Sequence, residues 1–233
     1  MKVLNEHIKN EEFKKIYLLC GEEDYLIKQY RDKLKLALMK DTDDMNFSCF
    51  QGSKINPIEV CDTGDTLPFF ADRRVIVIIN SGYFKSAPEK FQDRMEFFPD
   101  TTHVIFVEHE VDKRSRLYKK IKEVGYVAEF NSLDTRTLGI WINSLCKEEG
   151  KSISTEAINY LIEYIGTDMN QLKLELEKLF SYTIDKKIVE REDIQQVCIS
   201  QATSKIFDML DAIGSRNQGK ALSLYHDLLE LRE

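Results

Sequence analysis

The segment CGEEDYLIKQ, residues 20–29, follows an apolar run and lies where a phosphate-binding loop would begin. Such a loop reads G-x-x-x-x-G-K-[ST], because glycines let backbone amides approach the phosphates, lysine supplies charge and the hydroxyl group holds magnesium. Here Gly21 opens the loop, but Leu26 occupies the second glycine position and Ile27 the lysine position. Residues 22–24 add three carboxylates that would repel phosphates. We therefore predict a degenerate phosphate loop that binds no nucleotide cofactor and hydrolyses no ATP.

Other arrangements that could support catalysis or metal binding are missing from the sequence. The run RVIVIIN is followed by Ser81, so Asn80-Ser81 stand where paired acidic residues would hold magnesium. The five cysteines form no C-x-x-C pair and are predicted to be buried thiols, and the four histidines have no metal-ligand spacing. Acidic clusters such as Asp43-Asp44 are typical of solvated faces. We expect no catalytic residue and no metal.

Composition describes an ordinary globular protein. The 233 residues are 42% hydrophobic and 31% charged, which allows one large domain or two to three small ones. No apolar run reaches the roughly 18 residues of a membrane span, and the first residues lack a signal-peptide stretch, so a cytoplasmic protein without membrane contact is expected. A net charge of −7 makes the chain a poor free-standing DNA binder.

In the first part of the chain, predicted strands alternate with predicted helices. The strands are KIYLLCG, NFSCF, RRVIVII, HVIFVE and YVAEF, and the helices include PEKFQDRMEFF and KRSRLYKKIKEV. This alternation favours an α/β fold with a parallel sheet covered on both faces.

After Asn131 the sequence predicts helices only. Apolar stripes at helical spacing indicate a small bundle, with Ser154 as a cap and Gly166 as a terminator. From Ala202 two further helical patterns flank GSRNQG, and their apolar faces need something more to pack against.

The stretch TLPFFADRRVIVII, residues 66–79, contains two adjacent phenylalanines just before a strand. Adjacent side chains of a strand face opposite sides, so Phe69 and Phe70 cannot both enter one core. One alternative is that a ring covers the edge of the sheet as a local staple. The other is that the pair binds a partner.

Five blocks of sequence together resemble the delta subunit family of bacterial DNA polymerase III, whose members open the sliding clamp within the clamp loader. They are YLLCGEEDYLI, LPFFADRRVIVI, VDKRSRLYKKI, IGTDMNQLKLELEKL and FDMLDAIGSRNQGKAL. The resemblance implies an AAA+-like (RecA-type) α/β domain over residues 1–137, a helical lid domain over 138–201 and the first helices of a collar domain over 202–233. It also implies that the chain is C-terminally truncated.

The same resemblance implies a clamp-binding site made of a hydrophobic pair, here Phe69-Phe70, preceded by Leu67 and Pro68. Arg73 and Arg74 would support this tip or meet acidic residues of the clamp, or they are simply solvated. The implied partners are the beta sliding clamp, the gamma/tau and delta-prime subunits, and primer-template DNA through the assembled complex. The chain would then be a non-catalytic subunit of a DNA-directed DNA polymerase, a nucleotidyltransferase.

A different function is a DNA-binding or regulatory module on a degenerate ATPase fold. Its best candidate is DKRSRLYKK, residues 112–120, with five basic residues among nine. On a helix these residues are more typical of a solvated or partner-facing side.

Overall fold

The apolar runs of the first part form one five-stranded parallel sheet, which confirms the predicted α/β class. The computed structural model describes residues 1–40, 44–88 and 91–230. The strands are β1 (Ile16–Gly21), β2 (Phe47–Gln51), β3 (Arg74–Ile79), β4 (Thr102–Glu108) and β5 (Tyr126–Phe130), in the order β2-β3-β4-β1-β5. All residues of β4 are buried, because this strand is paired on both edges.

Helices cover both faces of the sheet. They are α1 (Lys2–Asn10), α2 (Asp24–Met39), α3 (Pro57–Asp65), α4 (Phe91–Glu96) and α5 (Arg116–Val124). Ile76 and Ile78 of β3 belong to an apolar cluster with α3, α4 and α5. Alternate strand residues point to opposite faces, so the buried Val75 and Val77 lie on the other face, where α2 contacts β1, β3, β4 and β5.

The second part of the chain is helical, as predicted. It contains α6 (Thr135–Glu148), α7 (Thr155–Ile165), α8 (Met169–Tyr182), α9 (Arg191–Val197), α10 (Gln201–Gly214) and α11 (Gln218–Glu230). Ser154 Oγ accepts a hydrogen bond from the Ala157 amide, and Gly166 ends α7 at a φ of 100°. Helices α10 and α11 pack on each other and leave Ile206, Ile213 and other apolar side chains about half exposed.

The chain forms two compact units, Met1–Ser132 and Leu133–Glu233. The finer division into three domains stays a prediction, and its last three residues, 231–233, lie outside the described part. Within the described ranges, no helix is long and apolar enough to cross a membrane.

Three details differ from the predictions. Strands do not stop after Asn131, since β6 (Ser152–Ile153) and β7 (Ile188–Val189) pair in parallel; two residues are too short to show a period. Cys49 is exposed rather than buried, because it lies on β2 at the edge of the sheet. The helix predicted over PEKFQDRMEFF is observed as α4, which ends at Glu96 and leaves Phe97 and Phe98 outside it, while Glu89 and Lys90 lie outside the described residues.

Candidate functional site

The two phenylalanines lie in the connection between α3 and β3, which we call the aromatic loop (residues 66–73). Phe70 is 93% exposed, Phe69 55% and Leu67 67%, while Pro68 is partly buried. The two rings meet edge to face, with centroids 4.5 Å apart and an interplanar angle of 81°. Neither ring is buried as a staple would be, and together they form an exposed apolar tip.

The backbone at the tip adopts a conformation that aromatic residues avoid. Phe70 has a φ of 48°, in the left-handed region, where the Cβ of a bulky residue approaches its own carbonyl group. This conformation costs about 1–2 kcal/mol for a residue other than glycine. The surrounding contacts therefore have to hold the loop in place.

Asn46 provides one of these contacts. Its side-chain Nδ2 donates to the carbonyl oxygen of Phe69 at 2.8 Å, and its Oδ1 accepts from the Phe69 amide at 2.7 Å. Sequence reasoning missed this residue. The two positions are 23 residues apart, and no local motif connects them.

Arg74 provides a second contact. It is buried at the start of β3, where Nε donates to the Thr66 carbonyl at 3.0 Å and Nη2 to that of Leu67 at 3.3 Å. Arg74 therefore braces the first residues of the aromatic loop and is not solvated. Arg73 points elsewhere, with its guanidinium 4.8 Å from the ring centroid of Phe13. A contact of either arginine with a clamp stays a prediction.

The loop after β1, tested above as a phosphate loop, is closed by the chain itself. The amides of Glu22 and Glu23 both donate to the carbonyl oxygen of Phe130, at 2.9 and 3.0 Å. Leu26 and Ile27 are buried in the core. Backbone amides of the kind that would hold a phosphate are thus already bonded, and the side chains at the second-glycine and lysine positions support the fold.

Gly21 has a structural role at the same place. Its φ is 133°, and a Cβ atom there would lie 2.2 Å from the Phe130 carbonyl oxygen. Only glycine allows β1 to pass so close to the end of β5.

At the ends of β3 and β4 the structure places a buried carboxylate that sequence reasoning overlooked. Glu108 accepts a hydrogen bond from the Ser81 amide at 2.8 Å and another from Ser81 Oγ. Burial raises the pKa of this carboxyl group, although these hydrogen bonds act in the opposite direction. Ser81 is thus a hydrogen-bond donor to Glu108, and this pair connects the ends of β3 and β4. The one sequence signal was the unusual Glu at the end of the apolar run HVIFVE.

The acidic and basic clusters are largely paired within the chain. Glu22 accepts from Ser132, and Asp24 lies 3.1 Å from His109. In the basic stretch 112–120, three cations have carboxylate partners: Lys113 with Glu129, Arg114 with Asp112, and Lys120 with Glu96. Asp43 lies outside the described residues, and the described ones contain no His, Cys, Asp and Glu group that could hold a metal ion.

Fold and site define a parallel-sheet α/β protein that presents two aromatic rings from a braced loop and closes its phosphate-type loop with its own backbone. Residues 17–131, which include the aromatic loop, match the family described as DNA polymerase III, delta subunit. The chain is 24% identical over 240 residues to DNA polymerase III subunit delta of Bacillus subtilis, covering 97% of this chain and 69% of that protein. It is 24% identical over 228 residues to a probable delta subunit of Aquifex aeolicus, covering 92% and 64%. By the family match, the first unit of the chain belongs to the delta-subunit family of DNA polymerase III.

Two solved structures share the fold of this chain. A DNA clamp loader delta protein of Bacillus subtilis matches 100% of this chain and 72% of its own, with a TM-score of 0.67 at 21% identity. A gamma subunit-related DNA polymerase III protein of Thermotoga maritima matches 97% and 77%, with a TM-score of 0.51 at 16% identity.

Proposed function

We propose that this protein binds the ring-shaped beta sliding clamp through the aromatic loop and opens it for loading onto primed DNA. The observation that carries the proposal is the exposed pair Phe69-Phe70 on a loop braced by Asn46 and Arg74. Leu67 adds a third exposed apolar side chain beside the pair. A strained backbone that displays aromatic rings to water does not stabilise an isolated monomer. Burial of the same rings in the pocket of a partner would stabilise a complex.

The size of the rings is sufficient for such a role. Full burial of a phenylalanine side chain stabilises a complex by about 1.5–3 kcal/mol before the costs of association. Two adjacent anchors at the centre of an interface can each act as a hot spot of about 2–4 kcal/mol by truncation. Because the loop is held in one conformation, less entropy is lost when it docks.

Opening the ring follows from differential affinity and needs no chemistry in this subunit. A clamp interface alternates between closed and open states, and a ligand shifts that equilibrium only by the difference between its affinities for them. If the tip fits the relaxed shape of a clamp subunit better than its closed shape, docking favours the open ring. Hydrolysis of ATP then belongs to other subunits.

The wider assignment rests on the family. We place the protein in the cytoplasm with the gamma/tau and delta-prime subunits, and primer-template DNA meets the assembled complex. The closed loop after β1 supports a subunit without ATPase activity. The AAA+-like character of the first domain is part of the same proposal.

The test is binding to the beta clamp of the organism that encodes this chain, measured by surface plasmon resonance. Phe69→Ala combined with Phe70→Ala is expected to weaken the affinity at least about 100-fold, since each ring contributes as a hot spot. The matched control truncates two exposed apolar side chains of the second unit, Ile140→Ala with Ile184→Ala, and should bind normally. Unchanged affinity in the phenylalanine double variant would overturn the proposal.

A further inference from the structure

Asn46 lies in a single helical turn, residues 44–46, that leads directly into β2. Asn46 is only 2% exposed, and both polar atoms of its side chain are bonded to the backbone of one residue, Phe69. Burying a side-chain amide without hydrogen-bond partners costs free energy. The two bonds to Phe69 remove that cost, because they satisfy both polar atoms of Asn46.

The geometry copies the pairing of two strands. A side-chain amide presents one donor and one acceptor side by side, as a peptide group does. By bonding both the N–H and the C=O of Phe69, Asn46 restricts the backbone at the residue immediately before the strained Phe70. Arg74 holds the opposite, Thr66-Leu67 side of the loop, so the tip is fixed at two points.

We propose that Asn46 is a positioning residue, which holds the aromatic loop in its clamp-binding conformation before the clamp arrives. The inference rests on the proposed function. Without Asn46, the left-handed backbone at Phe70 would relax and the rings would sample many orientations. Binding would then have to order the loop again, and its affinity would fall by that amount.

The first experiment compares clamp affinities of three variants. Asn46→Ala removes both hydrogen bonds and is expected to bind about 5–30-fold more weakly. Asn46→Asp keeps the volume but faces the Phe69 carbonyl with an oxygen that cannot donate, so it should also bind more weakly. The matched control is Asn56→Ala, which removes a side-chain bond to the Ile58 amide at the far end of α3 and should stay within about twofold of the parent.

Two further measurements separate positioning from general stability. Amide hydrogen exchange by NMR should show the Phe69 amide protected in the parent and unprotected in Asn46→Ala. In a double-mutant cycle, the effect of Asn46→Ala on clamp affinity should vanish once both rings are removed, because nothing is then left to position.

The outcomes distinguish this inference from the proposed function. If the ring variant loses binding but both Asn46 variants bind like Asn56→Ala, the positioning role is wrong and clamp binding stands. If the ring variant binds normally, both are wrong. If the Asn46 variants fail to fold, a Phe69 amide that exchanges freely in the parent still overturns the inference.

Discussion

The buried guanidinium of Arg74 donates a hydrogen bond from Nε to the main-chain carbonyl of Thr66, eight residues earlier in the chain, at 3.0 Å. This bond links the first residue of β3 to Thr66, the residue directly after α3, so the two ends of the aromatic loop are held at a fixed distance from each other. The tip can therefore be exposed to solvent and still keep one conformation. The following predictions test this arrangement and the rest of the first unit.

Arg74→Met should destabilise the protein and weaken clamp binding. The variant keeps the length of the side chain but leaves two carbonyl groups without the charged donor, and each such bond contributes about 1.5–3 kcal/mol at most. We expect the free energy of unfolding in urea to fall by about 1–3 kcal/mol. Arg31→Met, which among the described residues loses a hydrogen bond to its neighbour Asp32, serves as the control. Equal stability of both variants would mean that Arg74 does not brace the loop.

The two rings should differ in what their removal does. Phe70 is 93% exposed, so Phe70→Ala is expected to leave the melting temperature unchanged while weakening clamp affinity by about 2–4 kcal/mol. Phe70→Gly should lose binding equally but be more stable than Phe70→Ala by about 0.5–1 kcal/mol, because glycine tolerates the positive φ. Calorimetry and plasmon resonance measure the two effects. A Phe70→Gly protein less stable than Phe70→Ala would show that the backbone is not strained.

Gly21→Ala should be strongly destabilising. The methyl group would overlap the Phe130 carbonyl at 2.2 Å, at a φ of 133°. Relief requires β1 and the end of β5 to separate, which we expect to lower the free energy of unfolding by about 2 kcal/mol or more. Gly214→Ala is the control, since its added methyl meets only open space. Similar unfolding curves for both variants would contradict the close approach.

Magnesium and ATP should not stabilise the protein. A ligand that binds only the folded state raises the melting temperature as its concentration increases. With the amides of Glu22 and Glu23 already bonded to Phe130, we expect no shift in a thermal melt up to millimolar nucleotide. A concentration-dependent rise would show that a nucleotide site exists and would reopen the question of enzymatic activity.

Glu108→Gln should stabilise the protein at neutral pH, and the gain should fade in acid. Burial raises the pKa of Glu108 above its ordinary value of 4.5, so the folded state binds this proton more tightly than the unfolded state. The stability associated with the proton is fully present below pH 4.5 and is lost as the pH rises through the folded-state pKa. Glutamine cannot ionise and still accepts from Ser81. Urea unfolding between pH 4 and 7 measures the difference, and a difference independent of pH would contradict the raised pKa.

Much of the fold could be predicted because periodicity is local. The five strands of the sheet are apolar runs that differ from the neighbouring helical stripes by their period, and the caps at Ser154 and Gly166 depend on adjacent residues. The strands β6 and β7 could not be predicted, since two residues carry no period. The exposure of Cys49 could not be predicted either, because it depends on which strand lies at the edge of the sheet.

The site divides in the same way. The exposed pair Phe69-Phe70 was visible as an anomaly, because two adjacent rings cannot share one core. The departure from the phosphate-loop motif was visible at Leu26 and Ile27, because those side chains have the wrong size and polarity. Arg73 and Arg74 looked equivalent in sequence, and only their three-dimensional neighbours, Phe13 for one and the loop carbonyls for the other, separate their roles.

The amino-acid sequence alone determined the kind of protein: the alternation of strands and helices in the first unit, the departure from the phosphate-loop motif, and a pair of rings without a place in a strand. The tertiary structure decided how that pair is held. Asn46 and Phe69 are distant in the chain, and the bonds that join them form only when β2 and β3 lie side by side. Local periodicity reports which face of an element is buried, whereas a hydrogen bond between remote residues depends on the packing of the whole sheet.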